Sequence, residues 1–178
     1  MARELGMVTM TQIHKGYLPG SIGRVVEMLG TYYANNWNFG SFCETKEATE
    51  LSESISRYDP EQDAFCSVVK DSRVEGSLTI DGIHAADEGA HLRWFIMSDD
   101  LRGQGFGERL INEAVAFCKI RNYPRTYLWT FAGLHAARKL YENAGFVLVQ
   151  EQRGQQWGTE VTEQTFVQLV KGLCNKSR

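Results

Sequence analysis

No stripe of basic residues runs along this chain. Its nineteen Lys and Arg are scattered and the formal net charge is −3, so nothing is arranged to neutralise a row of phosphates, and nucleic acid is not expected as a ligand. The four cysteines, Cys43, Cys66, Cys118 and Cys174, show neither Cys-x-x-Cys spacing nor an accompanying histidine pattern. That argues against a zinc site and against a disulfide framework, so no metal is expected and the thiols read as reduced, as in a cytoplasmic protein. No apolar run approaches the ~18 residues that a membrane helix needs. Met1 to Met10 includes Arg3 and Glu4 and has no apolar stretch resembling a signal peptide. With no internal repeat, low-complexity tract or dividing linker, residues 1–178 are expected to form one domain, with residues 171–178 as a frayed tail.

What is present has the balance of a globular protein, 43% hydrophobic and 23% charged, enough to bury a core without cross-links. Apolar alternation from Met7 to Ile13 predicts a first strand. Beyond Pro19 and Gly20, Ser21 reads as a helix cap for Ile22, Val25, Val26, Leu29 and Tyr32 at helical spacing. A polar, aromatic connector over Asn35 to Phe39 leads to a second helix carried by Ala48, Leu51, Ile55 and Tyr58. Strands follow at Ala64 to Val69, Val74 to Ile80 and Ala90 to Met97. After a polar turn, a glycine-rich run over Arg102 to Gly107 opens a helix with Leu110, Ala114, Val115, Phe117 and Cys118 inward. Thr126 to Phe131 reads as a strand, Leu134 to Ala144 as a helix that Gly145 closes, and Phe146 to Gln150 and Val161 to Val170 as the last strands.

The unit that carries chemistry is strand, glycine-rich turn, helix. In Arg102-Gly103-Gln104-Gly105-Phe106-Gly107, successive amides at a helix N-terminus, with its partial positive charge, can converge on an anion. A dinucleotide fingerprint would need glycine at position 108, which is Glu108, and no Gly-Lys-Ser/Thr ending exists for a P-loop. A tight turn with no ligand remains the other reading.

The hexad resembles Arg/Gln-x-x-Gly-x-Gly/Ala, the pyrophosphate signature of the GNAT superfamily of N-acetyltransferases. Leu92 through Gly107 is similar to that family's fourth strand and phosphate loop, and Leu140, Tyr141, Glu142, Gly145 and Phe146 resemble its Leu-Tyr-Glu-x-x-Gly-Phe helix. The likeness extends to the acetyltransferase module of proteins fused to a MarR-type winged helix; here residues before Ala64 are taken up by the acetyltransferase's own elements. The resemblance implies an α+β fold: a twisted, mostly antiparallel sheet of six to seven strands flanked by about four helices.

It also implies an acetyl-CoA-dependent enzyme that moves the acetyl group to a primary amine of a small molecule or peptide. Arg102, Gly103, Gln104, Gly105, Phe106 and Gly107 would hold the CoA pyrophosphate through main-chain amides. The backbone of Phe95, Ile96 and Met97 would pair with pantetheine, and Leu134 and Ala137 would also border the cofactor. Tyr141 would be the general acid for the departing thiolate, since a thiol near pKa 8.5 and a tyrosine near 10 are roughly matched. His91, or else Glu88, would be the base. Trp37, Phe39 and Trp157 would wall the acceptor site. Two positions depart from the family pattern: Leu134 stands where many members have a pantetheine-binding Asn, and Trp129 where some carry Glu. A non-catalytic acyl-CoA-binding module is the alternative, and a homodimer is the commonest assembly for such a chain.

Overall fold

The computed structural model describes residues 10–169. The expected tail at 171–178, Cys174 and the start of the expected first strand fall outside that range. Seven strands and four α-helices follow in the order β1 (Thr11–Lys15), α1 (Ser21–Trp37), α2 (Ser41–Ser56), β2 (Ala64–Lys70), β3 (Arg73–Asp81), β4 (Ala90–Met97), α3 (Phe106–Ile120), β5 (Arg125–Phe131), α4 (His135–Asn143), β6 (Val147–Gly154) and β7 (Val161–Leu169). The strands form one sheet in the order β1-β2-β3-β4-β5-β7-β6. Only β4 and β5 pair in parallel; every other neighbour is antiparallel. This is the mixed α+β architecture expected from the sequence.

The helices divide between the two faces because their apolar stripes do. Val25, Val26 and Leu29 of α1 and Leu51 of α2 pack with Phe65, Val74, Trp94 and Ile96. Leu110, Ile111 and Ala114 of α3 and Tyr141 of α4 pack on the other face with Cys66, Val68, Leu78, Leu92, Leu128 and Phe166. Asp71 and Ser72, both at positive φ (49° and 64°), make the tight hairpin between β2 and β3.

Two local expectations change. Ser21 is the first residue of α1, not its cap: Gly20 holds the cap position in the left-handed region, and the Ser21 hydroxyl turns back to Leu18. The connector expected from Asn35 is shorter, because α1 continues through Trp37. It stops where Asn38 turns left-handed and its N–H reaches the Tyr33 carbonyl.

Candidate active site

The site opens where the sheet stops closing on itself. β4 and β5 pair at only two positions, Ala90 with Thr126 and His91 with Tyr127. Beyond them the strands part, and β4 from His91 to Met97 borders a cleft of about 420 Å³. A β-bulge sharpens the parting. Ser77 pairs with Ile96 and Thr79 with Arg93, so Trp94 and Phe95 both stand against Leu78. Trp94 takes φ 48°, a conformation unfavourable for a bulky side chain that the surrounding packing must hold in place.

At one end of the cleft the chain turns through Asp99–Leu101 into the glycine-rich loop. Gly105 is the N-cap of α3 at φ 81°, and no side chain caps the helix, so its first amides keep donors free for an anion. A side chain at Gly107 would come within 3.1 Å of Leu140 and 3.4 Å of Phe95; glycine there lets α3 sit close to α4 and β4. Arg102 is tied to the end of β4, with its Nε donating to the Met97 carbonyl at 3.2 Å, and lies over the Tyr32 ring at 4.7 Å.

The structure brings most of the expected residues to this one cleft. Phe95, Ile96, Met97, Arg102, Gly103, Gly105, Gly107, Leu134, Ala137, Tyr141, His91 and Trp157 all line it. Gln104 and Phe106 do not contribute to its lining, and the Gln104 amide instead donates to the Asp100 carbonyl at 2.6 Å. Tyr141 is 6% exposed, and burial pushes its phenol above the ordinary range.

Four expectations need correction. Glu88 is exposed in the turn before β4 and does not line the cleft. His91 is placed at the cleft but is poorly suited to be a base. Its ring stacks on Tyr127 at 4.4 Å and meets Trp129 edge-on at 4.6 Å; burial, with the Arg93 charge adding to it, pushes its pKa down to about 3. Trp37 and Phe39 do not face the cleft either. They pack on Phe131 at centroid distances of 4.9 and 5.2 Å and anchor the α1–α2 connection to the end of β5. Of the three expected wall aromatics only Trp157 borders the cleft, joined by Tyr32, Tyr33, Trp94 and Trp129.

The α2 wall carries charge that the sequence reading missed. Lys46, Glu47 and Glu50 line the cleft together with Arg93 of β4. Glu50 contacts both Lys46 and Arg93. Arg93 also lies 3.8 Å from Asp81, which is 4% exposed and bound to Arg57 at 2.6 Å. Burial raises the Asp81 carboxyl, but the Arg57 hydrogen bond, the Ile83 amide and the Arg93 charge outweigh it and hold the group below its ordinary range. Glu47 has no ion-pair partner among the described residues, and burial pushes its carboxyl up despite the opposing pull of Arg93 and Lys46. Its position could have been read from spacing: it lies four residues after Cys43 and four before Leu51, both buried on α2.

A profile described as the acetyltransferase (GNAT) family matches residues 27–146. The chain belongs to the GNAT acetyltransferase family. Solved GNAT structures share the fold at low identity. One is an acetyltransferase of the GNAT family from Staphylococcus aureus Mu50, 15% identical with TM-score 0.71, covering 91% of this chain and 100% of that one. A second is the ribosomal-protein-S18-alanine N-acetyltransferase of Escherichia coli, 15% identical with TM-score 0.68, covering 95% and 99%. The yncA protein of Salmonella typhimurium, solved with its cofactor acetyl-CoA, is 10% identical with TM-score 0.69 and covers 92% and 95%. No curated protein sequence matches the chain.

Proposed function

We propose that this GNAT chain acts as one domain that transfers the acetyl group of acetyl-CoA to a primary amine by direct attack in the β4–β5 cleft. The observation that carries the reading is convergence on one cleft: uncapped amides at the start of α3, a bulged strand that parts from β5 after two pairs, and a buried tyrosine. Each suits a different part of acetyl-CoA. The amides of Gly103 to Gly107 would meet the diphosphate, and the edge of β4 from Phe95 to Met97 would offer main-chain hydrogen bonds to the amide-bearing arm. Bound there, acetyl-CoA supplies the acyl group in thioester form.

An N–H near Met97 would stabilise negative charge developing on the thioester oxygen. Tyr141 would hand its proton to the departing sulfur. The desolvation that raises its phenol also raises the proton affinity of a thiolate in the same place, so the two stay matched. Direct attack is favoured over an acyl-enzyme because no described cysteine lines the cleft. Cys43, Cys66 and Cys118 are buried, with thiols pushed up to about 12, 11 and 11. Thiol release from acetyl-CoA across amino acids, polyamines, aryl amines and peptide N-termini tests the proposal. Turnover with intersecting initial-rate lines is expected. Acetyl-CoA binding with no transfer to any amine would favour the acyl-CoA-binding alternative, and parallel lines would point to an acyl-enzyme.

A further inference from the structure

A primary amine is an ammonium ion at neutral pH and must lose a proton before its nitrogen can attack. Glu88 lies outside the cleft, and His91, though it lines it, has its ring packed on Tyr127 and Trp129. On the basis of the acetyl-transfer reading, we infer that Glu47 is the general base: its carboxylate stands in the α2 wall of the cleft with no ion-pair partner among the described residues and accepts a proton from the incoming ammonium.

Position and surroundings both carry this. Cys43, Leu51 and Ser54 mark the side of α2 turned to the interior, and Glu47 lies on the same stripe. Glu47 is half-buried there, so its carboxylate is partly desolvated and favours a cationic partner. The nearby cations are engaged elsewhere, Lys46 and Arg93 with Glu50, and Arg93 with Asp81 as well. The Trp94 indole N–H is buried with no partner in hydrogen-bonding geometry among the described residues, yet lies near enough to favour the Glu47 anion. The charged and titratable groups around Glu47 are thus Cys43, Lys46 and Glu50 from α2, Tyr33 from α1 and Arg93 from β4. Glu47 and Tyr141 both line the cleft, with Tyr33, so base and acid open onto the same space. Of the other lining carboxylates, Glu50 is paired and Glu108 sits in the first turn of α3, at the phosphate end. The desolvation that lifts the Glu47 carboxyl brings it nearer neutrality, where a base works best.

In the step, R–NH3+ gives one proton to Glu47 and its nitrogen forms the C–N bond. The C–S bond breaks with its electron pair on sulfur, and Tyr141 protonates that sulfur. The second nitrogen proton restores Tyr141, and the Glu47 proton leaves to solvent. One amide, one thiol and one proton result.

The test uses the full chain, acetyl-CoA and the most active amine of the panel. E47Q is expected to lower kcat/KM at neutral pH by about 10²- to 10⁴-fold, to abolish the acidic limb of the pH profile, and to leave stabilisation by acetyl-CoA unchanged. E47D, which keeps the charge one methylene back, is expected to retain the acidic limb with a rate at least about tenfold lower. In protein labelled with 13C-glutamate, the Glu47 carboxyl is expected to titrate above the ordinary value of about 4.3. A rate for E47Q or E47D within threefold of the parent, loss of acetyl-CoA binding in E47Q, or an ordinary Glu47 titration would overturn the assignment. A parent protein that binds acetyl-CoA but acetylates nothing would instead sink the acetyl-transfer reading beneath it.

Discussion

Tyr141 packs between Phe95, which lines the cleft, and Phe166 of the core, with ring centroids at 5.9 and 6.0 Å. Tyr141→Phe keeps that packing and removes only the hydroxyl. If the phenol supplies the sulfur's proton, kcat is expected to fall by about 10²-fold or more while acetyl-CoA affinity stays within threefold, as steady-state kinetics and calorimetric titration would show. His91 makes a different prediction. Its folded pKa is depressed from 6.5 to about 3, so its contribution to stability is complete above pH 6.5 and declines as pH falls toward 3. His91→Phe, which can keep the stack on Tyr127, is expected to flatten that decline in urea unfolding measured between pH 7 and 4. Tyr141 was readable in the sequence because a run of motif residues fixes its place. The site of proton removal was not, because His91 and Glu88 stand out by residue type, whereas burial and pairing decide what they can do. Glu47 is marked in the sequence only by its spacing to Cys43 and Leu51, since a glutamate in a glutamate-rich helix otherwise reads as solvated face.

β4 shows where pattern reading stops. Its alternation from Ala90 to Arg93 predicts a strand, and the strand forms; nothing in Trp94-Phe95-Ile96 announces that one residue is inserted against Leu78. Nor does local sequence reveal that the strand loses β5 after two pairs, since that depends on residues some 35 positions further along. The glycine-rich turn was readable because its requirement is local: Gly105 at φ 81° is a conformation that costs an ordinary residue about 1–2 kcal/mol. A Cβ at Gly105 meets nothing within 4 Å, so Gly105→Ala acts through the backbone alone. It is expected to shift the turn, weaken acetyl-CoA affinity by about tenfold or more, that is ~1.4 kcal/mol, and leave the far-UV spectrum intact. Calorimetry and circular dichroism together check this.

Across the whole molecule, two helical layers enclose a sheet whose strand order places β4 and β5 at its centre. One reading of that arrangement is thermodynamic. With acetyl-CoA at 100 times its dissociation constant, stabilisation of about 2.7 kcal/mol is expected, which for a chain of this size is a rise in Tm of about 5–10 °C. Thermal scans with and without the ligand would show it, and an unmoved transition would count against the cleft as an acyl-CoA site. The short β4–β5 ladder reaches further than the cleft it opens. Most proteins protect the middle of a sheet and leave its margins loose; this one has, in effect, a margin running through its centre. The amides on both lips of that inner margin should exchange with deuterium faster than their depth suggests, and slow together when a guest molecule laces them.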